Sequence, residues 1–203
     1  MVSAASESDE ALLRRFVAGE AEAFGTLLQR YNTPVYSFVL RSVRDKDRAK
    51  DITQDVFTKV VQNASSFAGD AKFSTWLYSI ARNACIDHSR KMRFRRHQSL
   101  DAPAMDGGTP RIEQVASAAP GTERDVMGQR FREALQAAVE MLPDDQREVF
   151  LLRQIQGMPF KDIAEVLSIP ENTVKSRMRY ALTKLQEQLS EYQEHARAVG
   201  GAR

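Results

Sequence analysis

Residues 67–96, FAGDAKFSTWLYSIARNACIDHSRKMRFRR, bring three kinds of side chain together on one helix-forming segment. Phe73, Trp76 and Tyr78 offer flat faces, Phe67-Ala68-Gly69-Asp70-Ala71-Lys72 reads as a turn, and Arg90, Lys91, Arg93, Arg95 and Arg96 supply cations. Aromatic faces stack on unpaired bases and clustered cations bind phosphates, so the chemistry on offer is non-covalent: holding nucleic-acid strands apart. The plain alternative is structural. Trp76, Leu77, Ile80, Ala81 and Ala84 recur at helical spacing, and some of them must be core.

A second constellation occupies residues 159–185, PFKDIAEVLSIPENTVKSRMRYALTKL. Ala164 is small enough for a following helix to cross closely, Ser168-Ile169-Pro170 makes a short turn, and a new helix starts after Pro170. This is the layout of a helix-turn-helix. Its second helix offers Asn172, Thr173, Lys175, Ser176, Arg177 and Arg179 on and near its N-terminal half, the end that meets base edges in this motif. Arg and Lys favour guanine, Asn favours adenine, and the hydroxyls serve base or phosphate. An ordinary helical hairpin with a solvated polar face is the competing reading, but small residue, turn and basic second helix agree on DNA.

Covalent catalysis finds little support. His88, His97 and His195 are not paired at metal-ligand spacing, and there is neither a phosphate-binding glycine loop nor a nucleophile motif. Asp144-Asp145 follows Pro143 at a helix start, where capping and the helix dipole account for the pair. The lone Cys85 excludes an internal disulfide framework and a cysteine metal cage, and suits an apolar helix face. The expected protein is not an enzyme and carries no metal or other cofactor.

The elements that must position these groups are helices. Apolar residues recur at helical spacing and strand-like alternation is almost absent, so the fold class is all-α. Phe24, Leu27, Leu28 and Tyr31 share one face, as do Val35, Phe38 and Val39 beyond Pro34, which is expected to kink or break that helix. Ile52, Val56 and Val60 recur every four residues, with Phe57 and Val61 widening the stripe. After a break, Phe131, Leu135, Val139 and Leu142 form a helix that Pro143 ends, and Val149, Phe150 and Leu152 belong to another that Gly157 closes. The third of this group runs from about Phe160 to Leu167, and the fourth starts near Glu171.

Length and charge are consistent with two small domains. The chain has 203 residues, 42% of them apolar, and an ordinary net charge of +2. That average hides a segregation: residues 72–97 hold seven Lys or Arg against Asp87 alone, whereas residues 98–129 hold five acids against two Arg. A basic nucleic-acid face beside an acidic connector explains this, with a solvated helix end as the bland alternative. Pro103, Gly107, Gly108, Pro110, Pro120, Gly121 and Gly128 mark the connector, which spans roughly 100 Å if drawn out and about 30 Å as a coil. No run of about 18 apolar residues and no charged-then-apolar leader occurs, so a soluble, cytoplasmic protein without membrane insertion is expected.

Three motifs now stand in order: DITQDVFTKVVQN (51–63), FSTWLYSIARNACIDHSR (73–90) and ENTVKSRMRYALTKL (171–185). In that combination the chain resembles the extracytoplasmic-function group of bacterial RNA polymerase sigma factors, over nearly its whole length apart from the connector and both tails. The resemblance implies an N-terminal sigma domain at 10–96, a flexible acidic linker at 97–129 and a C-terminal helix-turn-helix domain at 130–195. It also implies core RNA polymerase and promoter DNA as partners, and an anti-sigma factor as inhibitor.

Carried over residue by residue, the Asp-x-x-Gln-acid-x-Phe helix, here Asp51, Gln54, Asp55 and Phe57, is the part that docks on the polymerase largest subunit. Gln54, Asp55, Thr58 and Gln62 also fall off the apolar stripe, which independently leaves a polar face free. Gly69, Asp70, Lys72, Phe73, Ser74, Thr75 and Trp76 match the part that opens the −10 element and captures a flipped base. Arg82, Asn83 and Asp87, one to three turns on, are implied to face the same DNA. The C-terminal motif matches the −35 reader, with Lys175, Ser176 and Arg179 on the base side. Lys175 and Tyr180 stand where related proteins often carry Arg, so a bidentate guanine contact does not carry over automatically.

A magnitude makes a partner necessary. Opening about ten base-pair steps costs on the order of 14 kcal/mol, and two captured bases return about 1–3 kcal/mol each. Two rivals remain: a stand-alone helix-turn-helix regulator with a sensing or dimerising N-terminal bundle, and a single-strand RNA-binding regulator using the aromatic-basic segment alone.

Overall fold

The computed structural model describes residues 7–67, 69, 71–98, 123–190 and 192, with side chains left undescribed for 93–98 and 123–127. Helices form every regular element among the described residues. Asp9–Val17 (α1) starts where the Ser8 Oγ accepts the Ala11 N–H at 3.2 Å, an N-cap reinforced by Asp9 and Glu10 in the first turn. Ala21–Val43 (α2) follows, and then Lys46–Asn63 (α3), capped by Asp45 Oδ1 accepting from the Arg48 N–H at 3.0 Å. A short 3-10 turn at Ala64–Ser66 leads to the turn before Phe73–Gln98 (α4).

Of the two outcomes expected at Pro34, a kink or a break, the break does not occur; α2 runs through the proline for 23 residues. The reason is tertiary. Leu27 on one side of the proline and Val35, Phe38 and Val39 on the other are all buried, and α2 packs on α1, α3 and α4. Burying each such side chain is worth about 1.5–3 kcal/mol, which together exceeds the roughly 3 kcal/mol penalty of an interior proline.

Beyond the undescribed segment 99–122 come Glu123–Glu140 (α5), Asp144–Phe150 (α6), a wide helical turn over Leu151–Ile155, Phe160–Leu167 (α7) and Glu171–Gln188 (α8). Residues 123–129, expected as connector, form the opening turns of α5 instead. Arg147 is buried and closes the end of α5: its guanidinium donates to the Leu142 carbonyl at 3.1 Å and pairs with Asp144 at 2.6 Å. Gly157 turns the chain with φ +67°, a conformation cheap only for glycine.

Contacts divide the chain into two compact units, residues 1–110 with 161–168, and residues 111–160 with 169–203. The first has its core in Leu12, Leu13, Leu27, Phe38, Val56, Val60, Phe73, Leu77 and Tyr78. In the second, α6 and α5 pack on α8 around Val139, Val149, Leu152, Val174, Met178 and Ala181.

Candidate functional site

The structure lays out three groups of candidate residues differently. On α3 the buried set is Ala49, Ile52, Thr53, Val56, Phe57 and Val60, and every polar residue expected to dock is on the other side. Asp51, Gln54, Asp55, Thr58 and Gln62 are all exposed, at spacings that hold one face of the helix. Phe57, part of the same motif, is core. Beside this face runs an open groove of about 720 Å³ between α2 and α3, lined by Leu28, Tyr36, Gln54, Thr58 and Val61 among others.

Leu28 and Val61 were expected in the core and are not: they are 37% and 43% exposed. Both lie at the edge of their stripes, one residue beyond Leu27 and Val60, so a turn of about 100° carries them past the packing seam. They are the residues that sequence reasoning missed. The signal available was their offset from the four-residue repeat.

At the α4 start the aromatic cluster divides. Phe73 and Tyr78 are essentially fully buried, not the open stacking faces expected, because their rings pack edge-on against Tyr31 at 5.4 Å and Phe38 at 5.5 Å. Burial pushes the Tyr78 hydroxyl pKa up, and burial with a hydrogen bond to Asp9 does the same for Tyr31. Thr75 is also buried, and its Oγ1 has no hydrogen-bond partner. Trp76 remains half-buried, 5.1 Å from Phe67 and 6.0 Å from Phe73. Of the turn, Gly69 is exposed with φ +78°, and Asp70 lies outside the described residues.

Lys72 is exposed, and its ammonium donates to Asp162 Oδ2 at 2.9 Å, a bond that raises the lysine pKa. Further along α4, Ser74 and Arg82 are half-buried while Asn83 and Asp87 are exposed. Trp76, Asn83 and Asp87 advance by seven and four, which returns them to one side of the helix. Arg90 and Lys91 continue this exposed end; the side chains of Arg93, Arg95 and Arg96 lie outside the described ones.

On α8, Val174, Met178, Ala181 and Leu185 face the core, leaving Asn172, Lys175, Arg179 and Tyr180 exposed. Thr173, Ser176 and Arg177 are half-buried. Local contacts hold several of them: Lys175 pairs with Glu171 at 2.7 Å, Arg177 with Asp145 at 3.2 Å, and Ser176 Oγ donates to the Thr173 carbonyl. The Arg179 guanidinium lies over the Tyr180 ring at 5.3 Å. An exposed N-terminal half carrying an amide and cations, with half-buried hydroxyls beside them, suits a major-groove reader.

Two family matches cover these groups. Residues 27–95 match Sigma-70 region 2 and residues 132–185 match Sigma-70, region 4. The chain is 31% identical over 172 residues to the RNA polymerase sigma-H factor of Pseudomonas aeruginosa, covering 85% of this chain and 89% of that one. The chain belongs to the extracytoplasmic-function sigma factors of bacterial RNA polymerase. Its similarity to the ECF RNA polymerase sigma factor SigW of Bacillus subtilis is 30% over 177 residues, 87% of this sigma factor and 94% of the relative. The solved sigma factor RpoE of Bartonella quintana, in complex with the anti-sigma factor NepR, matches with a TM-score of 0.65 at 26% identity, over 82% of this sigma factor and 96% of that chain.

As a sigma factor the protein directs promoter-specific transcription initiation, a regulatory role, and the stand-alone helix-turn-helix regulator is not favoured. Among the described residues of this sigma factor no helix is long and apolar enough to cross a membrane, and no cluster of three or more His, Cys, Asp or Glu is arranged to hold a metal.

Proposed function

We propose that this sigma factor docks on core RNA polymerase through the exposed face of α3, with Asp51, Gln54, Asp55, Thr58 and Gln62 as contacts. The observation that carries this reading is that all five are exposed on one helix face beside a groove with exposed apolar Leu28 and Val61 at its rim. Polar contacts flanking an apolar patch suit a macromolecular interface better than a merely solvated face.

The same domain then opens the −10 element. Trp76 supplies the stacking face, with Gly69, Asp70 and Lys72 ahead of α4 and Ser74 in its first turn as further contacts, and Arg82, Asn83 and Asp87 as the continuation along α4. Phe73 and Thr75 act from the core beneath, shaping the turn rather than touching bases, in keeping with their burial. Asn172, Thr173, Lys175, Ser176, Arg177, Arg179 and Tyr180 on α8 read the −35 element. The division into an N-terminal domain at 10–96 and a C-terminal domain at 130–195 is supported by the family ranges 27–95 and 132–185, with residues 123–129 belonging to α5 rather than to the linker between them. The protein works in the cytoplasm, performs no catalysis of its own, and is held in check by an anti-sigma factor, as the NepR complex of its solved relative suggests.

Charge reversal at Asp55 tests the docking face. Asp55→Arg is expected to weaken binding to core polymerase at least tenfold by fluorescence titration, with the helical circular-dichroism signal unchanged. An unaltered affinity would remove α3 from the interface.

A further inference from the structure

Helix α4 opens on Phe73-Ser74-Thr75 with no acid in its first turn, and Lys72 before it has no acceptor in its side chain. The Lys72 carbonyl already takes the first helical hydrogen bond, from the Trp76 N–H at 3.1 Å. That leaves the Phe73 N–H among the orphan donors of the helix start. Its acceptor arrives from 63 residues upstream: Glu10 Oε1 accepts the Phe73 N–H at 2.8 Å. A carboxylate at that point also faces the positive end of the α4 dipole.

Glu10 is itself well held. It sits in the first turn of α1 beside the Ser8 cap, and the adjacent Asp9 accepts from Arg30 Nη1 at 2.6 Å and from the Tyr31 hydroxyl. The Tyr31 ring in turn stands edge-on to Phe73. So α1 grips Phe73 twice, by its backbone through Glu10 and by its ring through Asp9 and Tyr31. Phe73 is wholly buried, and Trp76 lies against it one turn further on.

We propose that Glu10 is a positioning residue for strand opening: by capping α4 from α1 it fixes how Trp76 and the preceding turn are presented to the −10 element. This role rests on the assignment of Trp76 to strand opening made above. It makes α1, which precedes the matched range 27–95, a working part of the opening apparatus.

The test compares holoenzymes assembled from core polymerase and full-length chain carrying Glu10→Ala, Glu10→Gln or, as control, Glu22→Ala on the exposed side of α2. Opening is followed by 2-aminopurine fluorescence in the −10 strand, and closed-complex affinity is measured at low temperature. Because Trp76 is the chain's one tryptophan, acrylamide quenching of the free chain reads the same site without DNA. Glu10→Ala should open about fivefold more slowly, the factor matching loss of a typical helix cap, with closed-complex affinity unchanged and Trp76 more readily quenched. Glu10→Gln, which keeps an acceptor oxygen, should recover most of the rate, and Glu22→Ala should behave as wild type.

Opening by Glu10→Ala at the wild-type rate would overturn the role, as would a loss shared equally by closed-complex formation or one that glutamine does not relieve. Normal opening by Trp76→Ala would sink the parent assignment and this role with it. Failure at Glu10 alone leaves that assignment standing.

Discussion

Replacing Trp76 by alanine removes the one ring among Phe73, Trp76 and Tyr78 that reaches the surface. A stacked base is worth about 1–3 kcal/mol, so Trp76→Ala should slow promoter opening by roughly tenfold while leaving closed-complex formation intact. Stopped-flow opening assays check this, and equal losses in both steps would mark the ring as core. At the other end of the chain, Lys175 is exposed and pairs locally with Glu171, one turn back on the same helix. Lys175→Ala should weaken promoter binding and lower the slope of log affinity against log salt by about one if the ammonium meets a phosphate. An unchanged slope with altered base preference would instead place it on a base edge. Composition and spacing told where aromatics and cations concentrate, but not which aromatic stays at the surface. That choice is made by Tyr31, Phe38 and Glu10, residues on other helices that claim Phe73 and Tyr78.

At the scale of elements, most helices were legible because their apolar repeats are strong and their breaks local, as with Pro143 before α6 and Pro170 before α8. What local signals misjudged is α2, where packing on α1, α3 and α4 holds a helix through Pro34. Relief of that cost gives a stability prediction. Pro34→Ala should raise the urea midpoint by the equivalent of about 1–3 kcal/mol, read from denaturation of the chain; a lower midpoint would mean that the proline shapes the packing it sits in. The start of α5 was also hidden, since residues 123–129 combine Gly128 with charge and little apolar repeat. The exposed polar face of α3 was readable as the remainder of its apolar stripe, whereas the apolar rim formed by Leu28 and Val61 needed the packing of α2 against α3 to be seen.

Across the whole molecule, the candidate surfaces are divided. One unit carries the exposed polar face of α3 together with Trp76 near the start of α4, and the other carries the exposed face of α8. Two stacked bases at about 1–3 kcal/mol each return far less than the roughly 14 kcal/mol needed to part about ten base-pair steps, so opening is expected to depend on polymerase. Permanganate reactivity of −10 thymines, measured on a promoter mapped from its transcript start, tests this dependence most directly. Reactive thymines are expected only when this sigma factor and core polymerase are present together, with none from either alone. Thymines opened by the isolated chain, or none opened by holoenzyme at any promoter, would contradict it.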